Sequence, residues 1–188
     1  MLSRSAFAAI SRLALAGLMA LSAAAGARGQ DAGSISNYRL ASGDVISIQV
    51  LGEEDLKREK IRLSDAATIS YPILGEIKLF GKTIAELEAL IRDGLKGRYL
   101  VNPQVTVTIV EYRNFFVNGQ VEKPGGYPYS PGLTVRKAVS IAGGFRERAS
   151  KEKIYIISDD DRSQTPKRVD QNTVVKPGDI ITVEESFF

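Results

Sequence analysis

Turn signals divide the chain into short segments from Tyr38 onward, and this spacing leaves room only for short strands and two short helices. After the turn at residues 42–44, Ile46, Ile48 and Val50 alternate with other residues, which is typical of a half-buried strand. The same reasoning predicts strands at residues 104–110, 115–121, 153–158 and 180–184, and two strands within 67–79 that Pro72 and Gly75 separate.

Two segments show helical spacing instead. Thr83 and Glu86 form a capping-box pattern, and the residues that follow place apolar side chains on one face until Gly97. Thr134 begins a second helix, which Gly143-Gly144 ends. The pattern predicts an α+β fold: two small domains of mixed strands with one short helix each, the second domain being β-grasp-like.

Three short motifs resemble functional sites, and each is better explained by local structure. Gly81-Lys82-Thr83 lacks the earlier glycine of a phosphate-binding loop, because Glu76 occupies that position. The paired carboxylates at 53–55 could serve as acid and base, but adjacent acids after a strand favour a solvated loop. The acidic run at 159–161 lacks the spacing and the distal Glu of a calcium loop, which favours a solvated turn.

The first 27 residues predict a secretory signal peptide. Arg4 and Arg12 precede the apolar run at 13–25, and Ala25-Gly26-Ala27 is a small-x-small cleavage site. Removal of these two arginines from the 25 lysines and arginines, with 22 acids unchanged, lowers the formal net charge from +3 to +1. The basic balance therefore belongs mainly to the targeting segment, and we expect no nucleic-acid partner.

Composition excludes several kinds of chemistry. The sequence has no Cys and no His, which removes disulfides, Ser-His and Cys-His nucleophile pairs, and the usual transition-metal ligands. No acid–base pair stands out either, so we expect no enzymatic activity, no catalytic residue, no metal site and no cofactor.

One short pattern occurs twice. Ser42-Gly43-Asp44 precedes the first strand, and Pro177-Gly178-Asp179 precedes the last one. Two interpretations remain open: recurrence of a common turn, or true structural equivalence.

Four stretches in their order carry a family resemblance. They are residues 38–50, the helix start at 81–84, residues 101–107, and residues 117–127 with their continuation through 133–144. In this order they resemble a bacterial polysaccharide export protein of the outer-membrane auxiliary type, with the last stretch similar to a soluble-ligand-binding β-grasp (SLBB) domain.

The resemblance implies a domain organisation and a function. The expected parts are a signal peptide at 1–27, a flexible lead-in at 28–36, a polysaccharide export N-terminal domain at 37–112 and one SLBB domain at 113–188. Whether the final strand returns to the first domain stays open.

The expected function is that of a non-enzymatic component of a conduit for capsular or extracellular polysaccharide. It would act as a ring-forming homo-oligomer in the periplasm, in association with the outer membrane. The implied partners are the secreted polysaccharide and an inner-membrane polysaccharide co-polymerase.

The sequence departs from the larger relatives at both ends. With no Cys we expect no lipid anchor, and with no long apolar helix after Gly178 we expect no helical membrane pore. A separate outer-membrane protein is therefore a further expected partner.

Two other functional classes stay open. The first is a secreted periplasmic glycan-binding module, in which Tyr127 and Tyr129 are weak candidates for stacking on sugar, although packing at a turn is the commoner role of such tyrosines. The second is a small outer-membrane β-barrel, which the two helix patterns and the absence of Trp disfavour.

Overall fold

The computed structural model describes residues 37–161 and 163–186, which form two halves. The first half has a three-stranded sheet, a two-stranded sheet and one helix, and the second half has a five-stranded sheet and one helix. The predicted signal peptide and lead-in lie outside these described residues. The α+β class predicted from the sequence is confirmed. Both halves pack into one compact unit.

The first half contains a three-stranded antiparallel sheet and a hairpin. The sheet has the order β2-β1-β5, and β3 pairs with β4 in the hairpin. A short 3-10 turn, Glu54–Leu56, connects β1 to β2. The strands are β1 Val45–Val50, β2 Arg58–Arg62, β3 Thr68–Tyr71, β4 Gly75–Lys78 and β5 Val105–Glu111.

Helix α1, Ile84–Leu95, packs on this sheet and begins as the sequence predicts. Thr83 accepts a hydrogen bond from the Glu86 amide at 3.3 Å, and the Glu86 carboxylate accepts one from the Thr83 amide at 2.8 Å. The capping box is therefore confirmed, and Thr83 starts a helix and not a phosphate-binding loop. The buried helix residues Leu87, Ile91 and Leu95 each contribute roughly 1.5–3 kcal/mol by leaving water.

Helix α1 also covers the outer edge of β5. The Glu88 carboxylate accepts a hydrogen bond from the Val107 amide at 2.8 Å, on the side of β5 that does not face β1. An unpaired amide on an edge strand is a template for unwanted strand pairing. Glu88 provides the Val107 amide with a hydrogen-bond acceptor within the fold.

The second half contains a five-stranded sheet of order β7-β6-β10-β8-β9. All pairs are antiparallel except β6 with β10, which are parallel. Because β10 pairs with β6 and β8, it belongs to the five-stranded sheet and not to the three-stranded one. The elements are β6 Phe115–Gly119, β7 Gly125–Tyr127, α2 Val135–Ile141, β8 Ala149–Ile157, β9 Lys167–Val169 and β10 Ile180–Glu185.

Each half has its own apolar core. Leu40, Ile46 and Ile48 are fully buried in the first core, and Phe115, Val117 and Ile181 are fully buried in the second. No helix among the described residues is long and apolar enough to cross a bilayer.

The structure extends the predicted set of strands. β2, β7 and β9 were not predicted, and β8 begins at Ala149, four residues before the predicted start at Lys153. β7 reads GGY, while β2, β9 and the start of β8 are rich in charged residues. Pairing with neighbouring strands, and not their own sequence pattern, makes these segments strands.

Candidate functional site

The Gly-Asp pattern that occurs twice in the sequence forms the same turn twice. Gly43 and Gly178 have φ values of +89° and +87°, a left-handed conformation that L residues with side chains rarely adopt. The aspartate that follows each glycine is buried, with Asp44 0% and Asp179 2% exposed. The repeat therefore involves backbone conformation and burial as well as sequence.

The hydrogen bonds within the two turns also correspond. The Asp44 carboxylate accepts from the Ala41 amide at 2.9 Å, and the Asp179 carboxylate accepts from the Lys176 amide at 2.8 Å. Each aspartate amide donates back to the carbonyl three residues earlier, at 3.3 and 3.2 Å. The structure thus favours equivalence over chance recurrence, and one such turn introduces the central strand of each sheet.

Asp44 lies in a buried ionic cluster with Arg113 and Tyr38. Its carboxylate accepts the Tyr38 hydroxyl at 2.8 Å and the Arg113 backbone amide at 2.9 Å. The Arg113 guanidinium lies 3.4 Å from the same carboxylate and donates to the Tyr38 hydroxyl at 2.7 Å. These donors occupy both carboxylate oxygens, so Asp44 is built to hold structure and not to abstract a proton.

Arg113 extends this cluster to the second half of the molecule. Its side chain is only 12% exposed, and the other guanidinium nitrogen donates to the Asp159 carboxylate at 2.8 Å. A side chain at Gly178 would not fit here, because a Cβ atom would lie 2.8 Å from Arg113 Nε and 2.7 Å from Asp159 Cβ. We call Tyr38, Asp44, Arg113, Asp159 and Gly178 the junction.

Three tyrosine rings continue from the junction. The Tyr38 and Tyr112 rings are 5.1 Å apart and the Tyr112 and Tyr129 rings 5.3 Å apart, both in edge-to-face geometry. Burial raises the pKa of all three hydroxyls, and the Asp44 charge adds to the effect at Tyr38. The rings therefore remain neutral and connect residue 38 to residue 129 through aromatic packing.

The acidic run after β8 contacts cations of the same chain. Asp159 pairs with Arg113, Asp160 lies 3.7 Å from Lys176, and Asp161 lies 3.1 Å from Lys167. Hydrogen bonds from Ser163 are the main reason that the pKa of Asp161 is lowered. Among the described residues no group of three or more acidic side chains is arranged to hold a metal ion.

Tyr127 and Tyr129, the candidates for sugar stacking, are both half-buried against the second core. The Tyr127 ring packs on Phe115 with centroids 5.9 Å apart, and its hydroxyl donates to the Lys123 carbonyl. Tyr129 packs on Tyr112. The structure does not bring the two rings together as one platform, and their binding of sugar stays a prediction.

Arg113 was not identified from the sequence, because it lies in the connection between the predicted strands at 104–110 and 115–121. The repeated Gly-Asp pattern identified Asp44, but nothing in the spacing pointed to a partner 69 residues later. A buried aspartate needs hydrogen-bond donors, and this need is the property of Asp44 that indicates a cationic partner.

Comparisons with known proteins agree with this two-part arrangement. Residues 32–110 match the family model described as polysaccharide biosynthesis/export protein, and residues 114–166 match the SLBB domain. Arg113 lies between the two matched segments.

Two curated proteins are similar to the chain. One is the exopolysaccharide production protein ExoF of Rhizobium meliloti (strain 1021), 32% identical over 142 residues, which cover 68% of this chain and 33% of that protein. The other is the EPS I polysaccharide export outer membrane protein EpsA of Ralstonia nicotianae, 26% identical over 181 residues, which cover 79% of this chain and 47% of that protein.

The chain spans a third to a half of the length of these curated relatives. The two matched family segments lie in the order that the sequence predicts, on the two halves that the junction connects. The chain therefore belongs to the polysaccharide export proteins, with a polysaccharide biosynthesis/export segment followed by an SLBB domain.

Proposed function

We propose that this chain is a non-enzymatic part of a conduit that carries exopolysaccharide across the periplasm toward the outer membrane. The observation that carries the proposal is the order of the two family segments, with the junction holding both in one compact unit. A relative named as an outer membrane export protein supports the location.

The junction supports a structural role over a catalytic one. Both oxygens of its central carboxylate, Asp44, accept hydrogen bonds, and burial raises the pKa of its Tyr38 hydroxyl. The Tyr38 hydroxyl therefore keeps its proton near neutral pH, and donors already occupy the Asp44 oxygens. A conduit needs instead a rigid wall that contacts polymer weakly, because a wall that binds tightly does not conduct.

The conduit acts as a ring-forming homo-oligomer in this proposal. Three large apolar side chains of the first half are strongly exposed: Leu51 at 75%, Phe80 at 71% and Val101 at 91%. Exposed apolar groups of this size are common at protein interfaces. Light scattering on the purified full-length protein after size-exclusion chromatography in a membrane mimetic tests the ring, and a strictly monomeric protein would contradict it.

An inner-membrane polysaccharide co-polymerase and a separate outer-membrane protein are the proposed partners. Crosslinking in cells, followed by mass spectrometry of the captured proteins, tests both. Recovery of neither partner from cells that actively secrete polymer would contradict this part of the proposal.

Deletion of the gene tests the function itself. We expect extracellular polysaccharide to fall sharply and to return when the full chain is expressed from a plasmid. Unchanged secretion would contradict the export role and leave a secreted glycan-binding module as the better account.

A further inference from the structure

A groove of about 620 Å³ lies on the second half of the molecule. Its walls are the start of α2, the first residues of β8, the end of β9 and the loop at 170–173. This volume is within the range of small-ligand sites. Backbone hydrogen bonds from the Val135 amide to the Thr173 carbonyl and from the Arg136 amide to the Gln171 carbonyl hold the loop against the start of α2. None of the residues that line the groove belongs to the junction.

Cationic side chains outnumber acids along the groove, with Arg136, Lys151 and Arg168 facing Glu152 and Asp170. Arg168 Nε donates to the Glu152 carbonyl at 3.0 Å, which fixes the guanidinium at the wall. Within residues 37–161 and 163–186, the side-chain charges of Arg136 and Lys151 have no hydrogen-bond or ion-pair partner. Two cations are thus available to an incoming anion.

The acid on the loop is already engaged. The Asp170 carboxylate accepts from the Asn172 amide at 2.7 Å and lies 3.3 Å from the Thr173 hydroxyl. These bonds close the loop on itself, and Gln171 and Asn172 of this loop line the groove. Glu152 is the acid left to accept hydrogen bonds from a ligand.

This set of groups matches one ligand chemistry. A guanidinium recognises a carboxylate through paired hydrogen bonds, and an ammonium adds a flexible point charge. Side-chain amides and a free carboxylate are suited to the hydroxyl groups of a sugar, which both donate and accept. No aromatic side chain lines the groove among the described residues, so charge and hydrogen bonding would provide the recognition.

We propose that this groove binds a carboxylate-bearing segment of the exported polysaccharide, with Arg136 and Lys151 on the sugar carboxylate and Glu152 and Asn172 on its hydroxyls. The inference rests on the proposed export function and names the substrate class. Both cations are exposed, so binding is weak and weakens further with salt. Weak, salt-sensitive binding is compatible with a polymer that must move on.

Saturation-transfer-difference NMR on the purified full-length protein tests the proposal with defined probes. Tetragalacturonate is the acidic probe, and maltotetraose is a neutral probe of the same length. The double variant Arg136→Gln/Lys151→Gln removes the two available cations. Lys78→Gln/Arg98→Gln is the matched control, because it removes two exposed cations from the first half of the molecule.

We expect tetragalacturonate to bind in the millimolar range and maltotetraose at least about fivefold more weakly. The groove variant should raise the Kd for the acidic probe about tenfold, while the control variant leaves it within about twofold. Equal binding of both probes would overturn the proposal, as would equal losses in the two variants or no saturation transfer to tetragalacturonate.

Gene deletion separates this failure from a failure of the proposed function. If deletion abolishes secretion but tetragalacturonate does not bind, only the groove assignment is wrong. If deletion leaves secretion unchanged, the export function itself fails, whatever the probes show.

Discussion

Asp44 and Arg113 are a buried ion pair, and the surrounding hydrogen bonds show why the pair is tolerated. Removing a charge from water costs several kcal/mol unless every lone pair finds a donor. Asp44 is fully buried and has the Ala41 amide, the Tyr38 hydroxyl and two groups of Arg113 as donors. Loss of Arg113 would leave the Asp44 charge buried without a cation, whereas loss of Asp44 would leave Arg113 with Asp159 as its remaining ion-pair partner.

Arg113→Met therefore tests the junction at the residue scale. The variant leaves the Asp44 carboxylate without its cation, and we expect the free energy of unfolding to fall by about 3–5 kcal/mol. Urea denaturation followed by circular dichroism measures the change. Arg146→Met is the control, because Arg146 is exposed and its side chain makes no hydrogen bond or ion pair with another described residue. Equal effects of the two substitutions would contradict the importance of the junction.

Asp179, the buried aspartate of the second Gly-Asp turn, makes the stability of the fold depend on pH. Burial raises its pKa, although the amides of Lys176 and Asp159 oppose the rise. Because the folded state holds the proton more tightly than the unfolded state, the aspartate makes the protein less stable as pH rises from about 4 through its raised pKa. Asp179→Asn keeps an oxygen that can accept from the Lys176 amide and removes the ionisation.

We expect the Asp179→Asn variant to gain stability relative to the native protein as pH rises from 4 to 7. Urea denaturation at several pH values measures the difference. Asp161→Asn is the control: hydrogen bonds from Ser163 lower the pKa of Asp161, so its charge already stabilises the folded state above about pH 4. The stability difference of this variant should therefore stay flat between pH 4 and 7 and change only below about pH 4. If the difference in stability between Asp179→Asn and the native protein does not change with pH, the explanation based on the raised pKa of Asp179 is wrong.

At the scale of elements, the sequence predicts the helices and strands whose signals lie in neighbouring residues. The capping box at Thr83 and the apolar face of α1 lie within a few neighbouring residues, and both are confirmed. β2 reads REKIR and has no apolar alternation, because it is an edge strand whose position comes from pairing with β1. The parallel pairing of β6 with β10 joins segments more than 60 residues apart and has no local signature.

The β3–β4 hairpin contains a strained element. Ile73 has φ +70° and is 49% exposed, and the Leu74 amide donates to the Pro72 carbonyl at 2.7 Å. This is a γ-turn with positive φ, which is rare and costs about 1–2 kcal/mol for a residue with a side chain. The Pro72 and Gly75 signals predicted a break here but not its conformation.

Ile73→Gly should relieve this strain. We expect the free energy of unfolding to rise by about 1 kcal/mol, since glycine adopts positive φ without the steric penalty. Urea denaturation gives the value, and Ile73→Val, which keeps the branched side chain, should give no such gain. A loss of stability in the glycine variant would show that the exposed side chain contributes more than its backbone costs.

At the scale of the whole molecule, the two family segments and the junction between them define the protein. The order of short motifs along the chain predicted both segments, because each motif is local and their order is visible in one dimension. The junction and the groove bring together residues distant in sequence, and neither could be read from spacing. The places of Arg113 in the junction and of Arg136 in the groove are therefore visible only in the structure.

The distribution of polymer between cells and medium tests the export function most directly. In a strain that lacks the gene, we expect extracellular polysaccharide to fall while cell-associated polymer or its precursors persist, and expression of the full chain to restore the extracellular fraction. Loss of both fractions would indicate a role in synthesis. An unchanged extracellular fraction would contradict export by this protein.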